Sequence, residues 1–362
     1  MKILYLAPME LPVPSEKGAV EEIIWQLSRR MEKIADVYVY NPISINNFHK
    51  FAKGLKLFTY KSNQECIIHS HNLYASLALS LNNTRLRHLL TLHYPPSNTK
   101  SEQRRKIYRI ILKYLDTLGT MITAPSLYIT KEIESWNISR AIFLPNGVDT
   151  TIFNPLKRSE ELREKILEGK DTLIVNVGRI HPDKNQLALI MAIDKLVNYY
   201  GYKNIKLVLV GPTSGAFGKG KENSYFRLLT RYIYNHKLKP YVSFIELPRR
   251  EVAILLASSD IYVHPSKVEA APLAILEALA SKLPVVAFDL PYYKGYLING
   301  LNSLLVPNNI SCLANSLRIL LEDHNLVLRI SQNAYNIATK YFSWDFVSQF
   351  YERLYRSILS YK

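Results

Sequence analysis

The chain has 362 residues, of which 48% are hydrophobic, so it is long and apolar enough for two globular domains with cores of their own. No apolar run reaches the roughly 20 residues that span a bilayer, and the apolar run in the start MKILYLAPMELP is too short for a signal peptide. The chain has only two cysteines, Cys66 and Cys312, which excludes a disulfide framework. The formal charge of +16 leaves open a nucleic-acid partner, an anionic membrane, or a basic composition without any such partner.

The first half of the chain alternates short apolar runs with helical patterns, which predicts a parallel sheet covered by helices on both faces. The predicted strands are Lys2–Ala7, Val37–Tyr40, Ile67–Ser70, His88–Leu92, Met121–Ala124 and Ala141–Leu144. The predicted helices are Val20–Glu32, Leu73–Leu81, Gln103–Leu118 and Leu127–Trp136. The charged segment from Pro145 to Asp171 contains Asn146-Gly147, so we predict a linker there.

The second half repeats this alternation. Its predicted strands are Thr172–Val177, Ile205–Val210, Val242–Glu246, Ile261–His264, Pro284–Phe288 and Ser303–Val306. Its predicted helices are Gln186–Tyr199, Ser224–His236, Arg250–Ala257, one at Pro272, Cys312–Leu321 and Trp344–Leu359. We predict an α/β protein of two Rossmann-like domains facing across a cleft, with a first domain at 1–165, a second at 166–342 and a final helix at 343–362 that returns to the first domain.

The densest group of basic residues lies in the first half, in KSEQRRKIYRIILK from Lys100 to Lys113. Apolar residues interleave with the basic ones at helical spacing, so residues 100–115 form a basic amphipathic pattern. Such a pattern is typical of a helix that lies on an anionic membrane, and equally of an ordinary surface helix with a solvated basic face. Both readings remain open.

The segment HPSKVEAAPLAILEALASKLPVV begins at the last residue of the predicted strand Ile261–His264. It is mostly apolar but contains two acidic residues. Glu269 precedes the predicted helix and Glu277 lies inside it, with seven residues between them. Free amides at the helix start favour an anion, and those predicted here belong to Ala270, Ala271 and Leu273. Carboxylates can accept hydrogen bonds from sugar hydroxyls, so together with such amides they indicate a site for a phosphorylated sugar. The same spacing also fits a solvated Glu269 and a Glu277 that is hydrogen-bonded for structural reasons only.

This text resembles the E-x7-E motif of retaining glycosyltransferases with the GT-B fold, in glycosyltransferase family 4. The resemblance implies that Glu269 contacts the donor sugar and Glu277 the nucleotide ribose. The text VGRIHPDKNQ is similar to the family's GRL-x-x-x-K segment. It implies that Arg179 and Lys184 grip the donor phosphates.

Further residues at predicted strand ends fit the same family. Gly18 follows the first strand, where a glycine lets the backbone approach a ligand closely, although Ala19 replaces the second glycine usual in the family. His93 ends the run LLTLH, and the resemblance implies a histidine there that faces the cleft and bonds the reacting sugar or acceptor. We assign His71 and Tyr94 to the acceptor side.

The resemblance extends from Gly18 through PNGVD at residues 145–149 to the start of the last helix, so it covers nearly the whole chain. It implies transfer of a sugar from a nucleotide sugar to a glycan, a lipid-linked sugar or a small molecule, with retention of anomeric configuration. No cofactor is expected, and a UDP-sugar is the default donor. The sequence has no Asp-x-Asp pair, so we predict that the diphosphate is held without a metal ion.

Two other classes of protein remain as alternatives. An epimerase or phosphorylase could share this fold, but a phosphorylase needs a further phosphate pocket that we cannot identify. A nucleic-acid-binding protein would explain the charge, but the aromatic residues do not interleave with a single basic stripe, so we predict no nucleic-acid partner. We predict a cytoplasmic location, with peripheral contact at the inner membrane face through residues 100–115 as the alternative.

Overall fold

The computed structural model describes residues 1–8, 11–14, 18–41, 66–82, 87–99, 101–213 and 224–360. The chain divides into two compact units, a first unit of Met1–Gly147 with Trp344–Lys362 and a second unit of Val148–Ser343. Ser15, Glu16 and Lys17 of the segment before Gly18, and Lys100 of the basic segment, lie outside the described residues.

The first unit is built on a six-stranded sheet in which every neighbouring pair of strands is parallel. Its strands are β1 (Lys2–Leu6), β2 (Asp36–Tyr40), β3 (Cys66–Ser70), β4 (Arg87–Thr91), β5 (Met121–Ala124) and β6 (Ala141–Phe143). Its helices before the second unit are α1 (Ala19–Met31), α2 (Leu73–Asn82), α3 (Glu102–Thr117) and α4 (Leu127–Glu134). The strand order is β2-β1-β3-β4-β5-β6, so the order reverses between β1 and β3.

The second unit has a six-stranded parallel sheet of its own. Its strands are β7 (Thr172–Val177), β8 (Ile205–Val210), β9 (Val242–Ile245), β10 (Ile261–His264), β11 (Val285–Phe288) and β12 (Ser303–Val306). Its helices are α5 (Glu160–Leu167), α6 (Gln186–Asp194), α7 (Ser224–Asn235), α8 (Arg249–Ala257), α9 (Leu273–Ala280), α10 (Ile310–Glu322) and α11 (His324–Tyr341). The strand order is β12-β11-β10-β7-β8-β9, which is the Rossmann order with its reversal between β7 and β10.

Alternating residues of the second sheet enter two separate hydrophobic cores. Leu173 and Val175 of β7 belong to one core, whereas Ile174 between them belongs to the other. Successive side chains of a strand point to opposite faces, and here helices cover both faces, so nearly every residue of these strands is apolar. This explains why the short apolar runs of the sequence could be recognised as buried strands.

The segment predicted as a linker is partly helical. Ser159 caps α5 by accepting a hydrogen bond from the Leu162 amide. Arg163 then donates to the Ser258 carbonyl over 2.8 Å and pairs with Asp260, also at 2.8 Å. These contacts hold α5 against the second unit, so the unit boundary follows Gly147 rather than residue 165. The boundary lies inside the segment predicted as a linker, and the prediction was wrong only for its second part, where charged residues form a capped helix.

Two other helices differ from the sequence prediction. α11 was not predicted at all, because its buried residues are few and small, and Ile330 is the only large apolar one among them. The predicted helix Gln186–Tyr199 is α-helical only to Asp194 and continues as a π-helical turn over Lys195–Tyr199.

The final helix, α12 (Trp344–Ser360), lies in the first unit, where it packs against α1 and reaches β3 and β4. Arg30 of α1 donates to Asp345 over 2.7 Å. The buried Trp344 ring lies against Gly147, where a Cβ would collide with the indole. The PNGVD turn therefore needs its glycine so that the chain can pack under this ring.

Candidate functional site

The strand reversal of the second unit brings together the charged residues that follow β7 and β10. Arg179 and Lys184 come after β7, and Glu269 comes after β10. The Lys184 ammonium forms an ion pair with Oε1 of Glu269. Ligands of open α/β sheets bind at the carboxyl ends of strands beside such a reversal.

Backbone packing shapes this edge of the sheet. The Gly178 amide, just after β7, donates to the Val210 carbonyl over 2.8 Å. Gly211, just after β8, has a φ of +148°, and a Cβ there would collide with the Gly178 carbonyl. Only glycine fits at 211, because any side chain would push these two loops apart.

Further hydrogen bonds fix the loop that carries the two cations. Gln186 donates from its side chain to the Arg179 carbonyl over 2.9 Å, and the Lys267 amide donates to the Asp183 carbonyl over 2.8 Å. The second of these bonds holds the loop after β7 to the loop after β10. The Arg179 side chain is exposed, and within the described parts of the chain no acidic group pairs with it.

Glu269 is almost completely buried, and its carboxylate is held from two sides. Besides the Lys184 contact, Oε1 lies 2.8 Å from Nε2 of His264, and Nδ1 of that ring lies 3.0 Å from the Tyr262 hydroxyl. Burial opposes ionisation, but the Lys184 charge and the His264 hydrogen bond outweigh it and lower the pKa of Glu269 to about 2.

His264 is itself neutral in this arrangement. Burial lowers its pKa, although Glu269 acts in the opposite direction. A neutral ring donates from one nitrogen and accepts at the other, so Nε2–H donates to Glu269 while Nδ1 accepts from Tyr262. The carboxylate is therefore oriented by a hydrogen-bond relay as well as by a charge.

Glu277 lies inside α9, and its side chain is only 5% exposed. Nη2 of Arg249, the first residue of α8, lies 2.6 Å from its Oε1. The Arg249 guanidinium also lies over the ring of the buried Phe153, 4.9 Å from the ring centroid. A buried carboxylate needs such a partner, and here the partner comes from another helix.

Of the three predicted amides, only that of Leu273 lies at the start of α9, so the prediction was wrong for Ala270 and Ala271. Pro272 is the cap of this helix rather than its first helical residue, so Leu273 begins it. Amides of a first helical turn have no partner within the helix. Ala270 and Ala271 are partly exposed in the loop that joins Glu269 to this helix.

The first unit brings its own predicted residues to the carboxyl edge of its sheet. Gly18 caps α1, and a Cβ there would collide with the buried Glu21 side chain, whereas Ala19 already stands exposed in the helix. The His71 amide donates to the Leu6 carbonyl over 3.0 Å, which ties the ends of β1 and β3 together at the strand reversal.

Three histidines lie together at this edge. Nδ1 of His71 is 2.7 Å from Nε2 of His93, and the ring centroids of His71 and His69 are 4.2 Å apart. Burial lowers the pKa of His93 to about 4. Burial also lowers the pKa of His71 well below its ordinary value, with help from His69. Both imidazoles of the His71–His93 pair are therefore neutral near pH 7, and one donates to the other.

His69 is held by a chain of hydroxyl groups. The Tyr5 and Tyr355 hydroxyls are 3.0 Å apart, and the latter lies 2.7 Å from Nδ1 of His69. Nε2 of His69 lies 2.7 Å from the Thr91 hydroxyl, which is 2.6 Å from that of Thr123. The Thr123 hydroxyl donates to the Leu90 carbonyl. If every hydrogen bond of the chain is donated in the same direction, from Tyr5 through His69 to Thr123, each of these groups has a partner.

Tyr94 and most of α3 are exposed at the surface of the first unit. Among the described residues, no group of three or more His, Cys, Asp or Glu side chains could hold a metal ion. Of the helices in that same part of the chain, none is both long and apolar enough to cross a bilayer.

Arg249 and the Tyr262–His264 relay are not predicted from the sequence. The motif that begins at His264 indicates no role for that residue, and the apolar pattern predicts Tyr262 only as a strand residue. Arg249 follows β9 and could have been noticed as a cation beyond a strand end. Nothing in the sequence distinguishes it from its neighbour Arg250, however.

Comparison with known proteins gives one family match. Residues 158–337 match the family described as Glycosyl transferases group 1. The chain is 29% identical to sulfoquinovosyl transferase SQD2 of Arabidopsis thaliana over 182 residues, 49% of this chain and 32% of that protein. It is 26% identical over 247 residues to the UDP-Gal:alpha-D-GlcNAc-diphosphoundecaprenol alpha-1,3-galactosyltransferase of Escherichia coli, 64% of this chain and 60% of that protein.

These matched stretches span less than two thirds of either relative. Among solved structures, the chain is similar to Anabaena Alr3699/HepE, crystallised with UDP and glucose, with a TM-score of 0.82 and 20% identity over 99% of this chain and 100% of that one. This likeness covers both sheets and shows the fold. Residues 158–337, just under half of the chain, thus match the group 1 glycosyltransferases, and the chain as a whole has the GT-B fold.

Proposed function

We propose that this protein is a retaining glycosyltransferase, of family 4, that transfers a sugar from a nucleotide-sugar donor to an acceptor. The observation that carries the proposal is the set of charges at the strand reversal of the second unit. There the Lys184–Glu269 pair forms, and the exposed Arg179 belongs to the same loop after β7 as Lys184. Two cations suit a diphosphate, and a carboxylate held ionised suits the hydroxyls of a sugar.

Each charged residue then has a role in the transfer. Glu269 contacts the donor sugar, while Arg179 and Lys184 stabilise the negative charge that develops on the leaving diphosphate. Glu277 accepts from the ribose. The amides at the start of α9 and the backbone at Gly18 provide further contacts for anionic groups.

The first unit takes the acceptor in this proposal. The His93 imidazole is neutral, so it can hydrogen-bond an acceptor hydroxyl, and His71 fixes its orientation through their 2.7 Å contact. Tyr94 offers an exposed ring beside them. No side chain is assigned as a covalent nucleophile, and the leaving diphosphate can receive the acceptor proton.

Two similar proteins favour a particular donor base and acceptor class. UDP is the favoured nucleotide, because the structurally similar Anabaena protein was crystallised with UDP and glucose. A lipid-linked acceptor is favoured because the name of the Escherichia coli relative specifies a diphosphoundecaprenol-linked sugar. The exposed Ile107 and Ile110 of α3, among basic residues, would suit a membrane that carries such an acceptor.

A thermal-shift screen of nucleoside diphosphates and nucleotide sugars tests the proposal first. A ligand that binds only the folded state raises the melting temperature, so the correct nucleotide should stand out from the others. Product formed from that donor would then be analysed by NMR for its anomeric configuration. A chain that binds none of these compounds would not be a nucleotide-sugar transferase, and an inverted product would disprove retention.

A further inference from the structure

Arg249 lies at the same sheet edge as the proposed donor site. It begins α8, a few residues beyond the carboxyl end of β9, and β9 is separated from β7 only by β8. Arg179, Lys184 and Glu269 follow the carboxyl ends of β7 and β10. The edge therefore carries, besides Arg179 and Lys184, a further arginine to which no role has been given.

The guanidinium of Arg249 is held on two sides. Nη2 lies 2.6 Å from Oε1 of Glu277, and the Phe153 ring lies beneath the guanidinium at 4.9 Å. Phe153 is fully buried, and its amide donates to the Asp149 carbonyl over 2.8 Å. A planar group stacked on a fixed ring keeps one orientation, so the carboxylate that it pairs with is oriented as well.

The pair is not sealed inside the protein. The Glu277 side chain is 5% exposed, but that of Arg249 is 22% exposed, so the ion pair reaches the surface of the second unit. An ionised carboxylate has about four acceptor positions, so it can accept from an arginine and from hydroxyl donors together. The ribose of a nucleotide supplies two neighbouring hydroxyls of this kind.

We propose that Arg249 is a positioning residue that holds Glu277 in place to receive the ribose hydroxyls of the donor nucleotide. This inference rests on the proposed function, in which Glu277 contacts the ribose. Arg249 acts through Glu277 and not on the diphosphate. Its loss should therefore weaken the recognition of ribose and leave the binding of the phosphates unchanged.

The test compares ribose with deoxyribose nucleotides. UDP, GDP and ADP are first screened by thermal shift, and the best ligand is titrated by calorimetry together with its 2′-deoxy and 3′-deoxy analogues. The ratio of the deoxy to the ribose dissociation constant measures ribose selectivity. The proteins compared are the parent, Arg249→Gln, Glu277→Gln, the double variant, and the matched control Arg250→Gln, which alters the exposed next residue of the same helix.

We expect a ribose selectivity of about tenfold or more in the parent and in Arg250→Gln, the effect of losing a hydrogen bond to a charged group. Arg249→Gln should bring the ratio close to one by weakening only the ribose nucleotide. Because both residues serve one interaction, the double variant should be no worse than Glu277→Gln. Arg249→Lys keeps the charge but loses the planar fork, so its ratio should be intermediate.

Other results would overturn the inference. If Arg249→Gln weakens ribose and deoxyribose nucleotides by the same factor, the residue contacts the phosphates or the base, and if it changes neither, the pair only joins α8 to α9. A parent without ribose selectivity also contradicts it. Melting temperatures without ligand identify unfolded variants, and Arg249→Lys then carries the comparison. A parent that binds no nucleoside diphosphate refutes the proposed function instead.

Discussion

Lys184 and Glu269 are joined by an ion pair although 85 positions separate them in the sequence. The pair forms at the strand reversal of the second sheet, where the loop after β7 meets the loop after β10. It keeps the carboxylate ionised and also occupies the lysine. In the proposed function a donor diphosphate would compete with Glu269 for the Lys184 ammonium, so donor binding would leave the carboxylate free to accept from the sugar.

The variant Glu269→Gln should separate binding from turnover. The neutral amide removes the competitor for Lys184, so the affinity for a free nucleoside diphosphate should stay within about threefold of the parent or increase. Turnover should fall by about 10²–10³-fold, because the donor sugar loses a charged contact. Calorimetry with UDP and an initial-rate assay measure the two effects. A large loss of UDP affinity would mean that Glu269 does not act on the sugar.

The same carboxylate should contribute to stability in a pH-dependent way. Its pKa is about 2 in the folded chain, below the ordinary value of 4.5, so the stabilisation is complete above about pH 5 and is lost as the pH falls toward 2. Between pH 6 and pH 3 the parent should lose about 2 kcal/mol of unfolding free energy relative to Glu269→Gln. Denaturant unfolding of both proteins measures this difference. A pH-independent difference would show that the pair does not hold the pKa down.

The sequence predicted much of this edge because it lies at strand ends. Apolar runs identified β7 and β10, and the carboxyl ends of parallel strands share an edge, so Lys184 and Glu269 could be expected near each other. The sequence alone does not distinguish Arg249 from Arg250, because the two differ only in their contacts. Arg249 packs on Phe153 and pairs with Glu277. Such contacts depend on how helices pack against one another, which the local sequence does not encode.

The two helices that the sequence did not predict, α5 and α11, bury few large apolar side chains. α5 has only Leu167 buried, and α11 buries mostly serine and alanine, so neither shows a strong apolar period. Their starts are fixed by the capping side chains of Ser159 and Asp323. Capping residues are also common in loops, so they become informative only once the neighbouring elements are known.

The basic face of α3 should bind an anionic membrane. Ile107 and Ile110 are 49% and 66% exposed, and Arg104, Arg105 and Lys106 are exposed in the same helix. Each cation near an anionic surface contributes about 1 kcal/mol, and the isoleucines add apolar contact. In low salt the parent should therefore float with phosphatidylglycerol vesicles, and reversing the three charges to glutamate should release it.

The control for this experiment reverses three exposed charges elsewhere. Arg231, Lys237 and Lys239 lie in the second unit and give the same change in net charge. This variant should float like the parent. If both triple variants are released equally, the membrane responds to total charge, and α3 is not its docking site.

The last prediction concerns how the donor diphosphate is neutralised. Arg179 and Lys184 come from one loop after β7, and hydrogen bonds from Gln186 and Lys267 hold that loop in place. Two fixed cations can stabilise a leaving diphosphate without a coordination shell to assemble. Transfer should therefore survive excess chelator, and Arg179→Ala should lose about 10²–10³-fold in turnover, which added magnesium does not restore. Rates measured with chelator, magnesium and manganese test this prediction. The matched variant is Lys165→Ala, which alters an exposed lysine of α5 and should keep its activity. Activity abolished by chelator and recovered with either metal would show that a divalent ion, and not this pair of cations, holds the diphosphate.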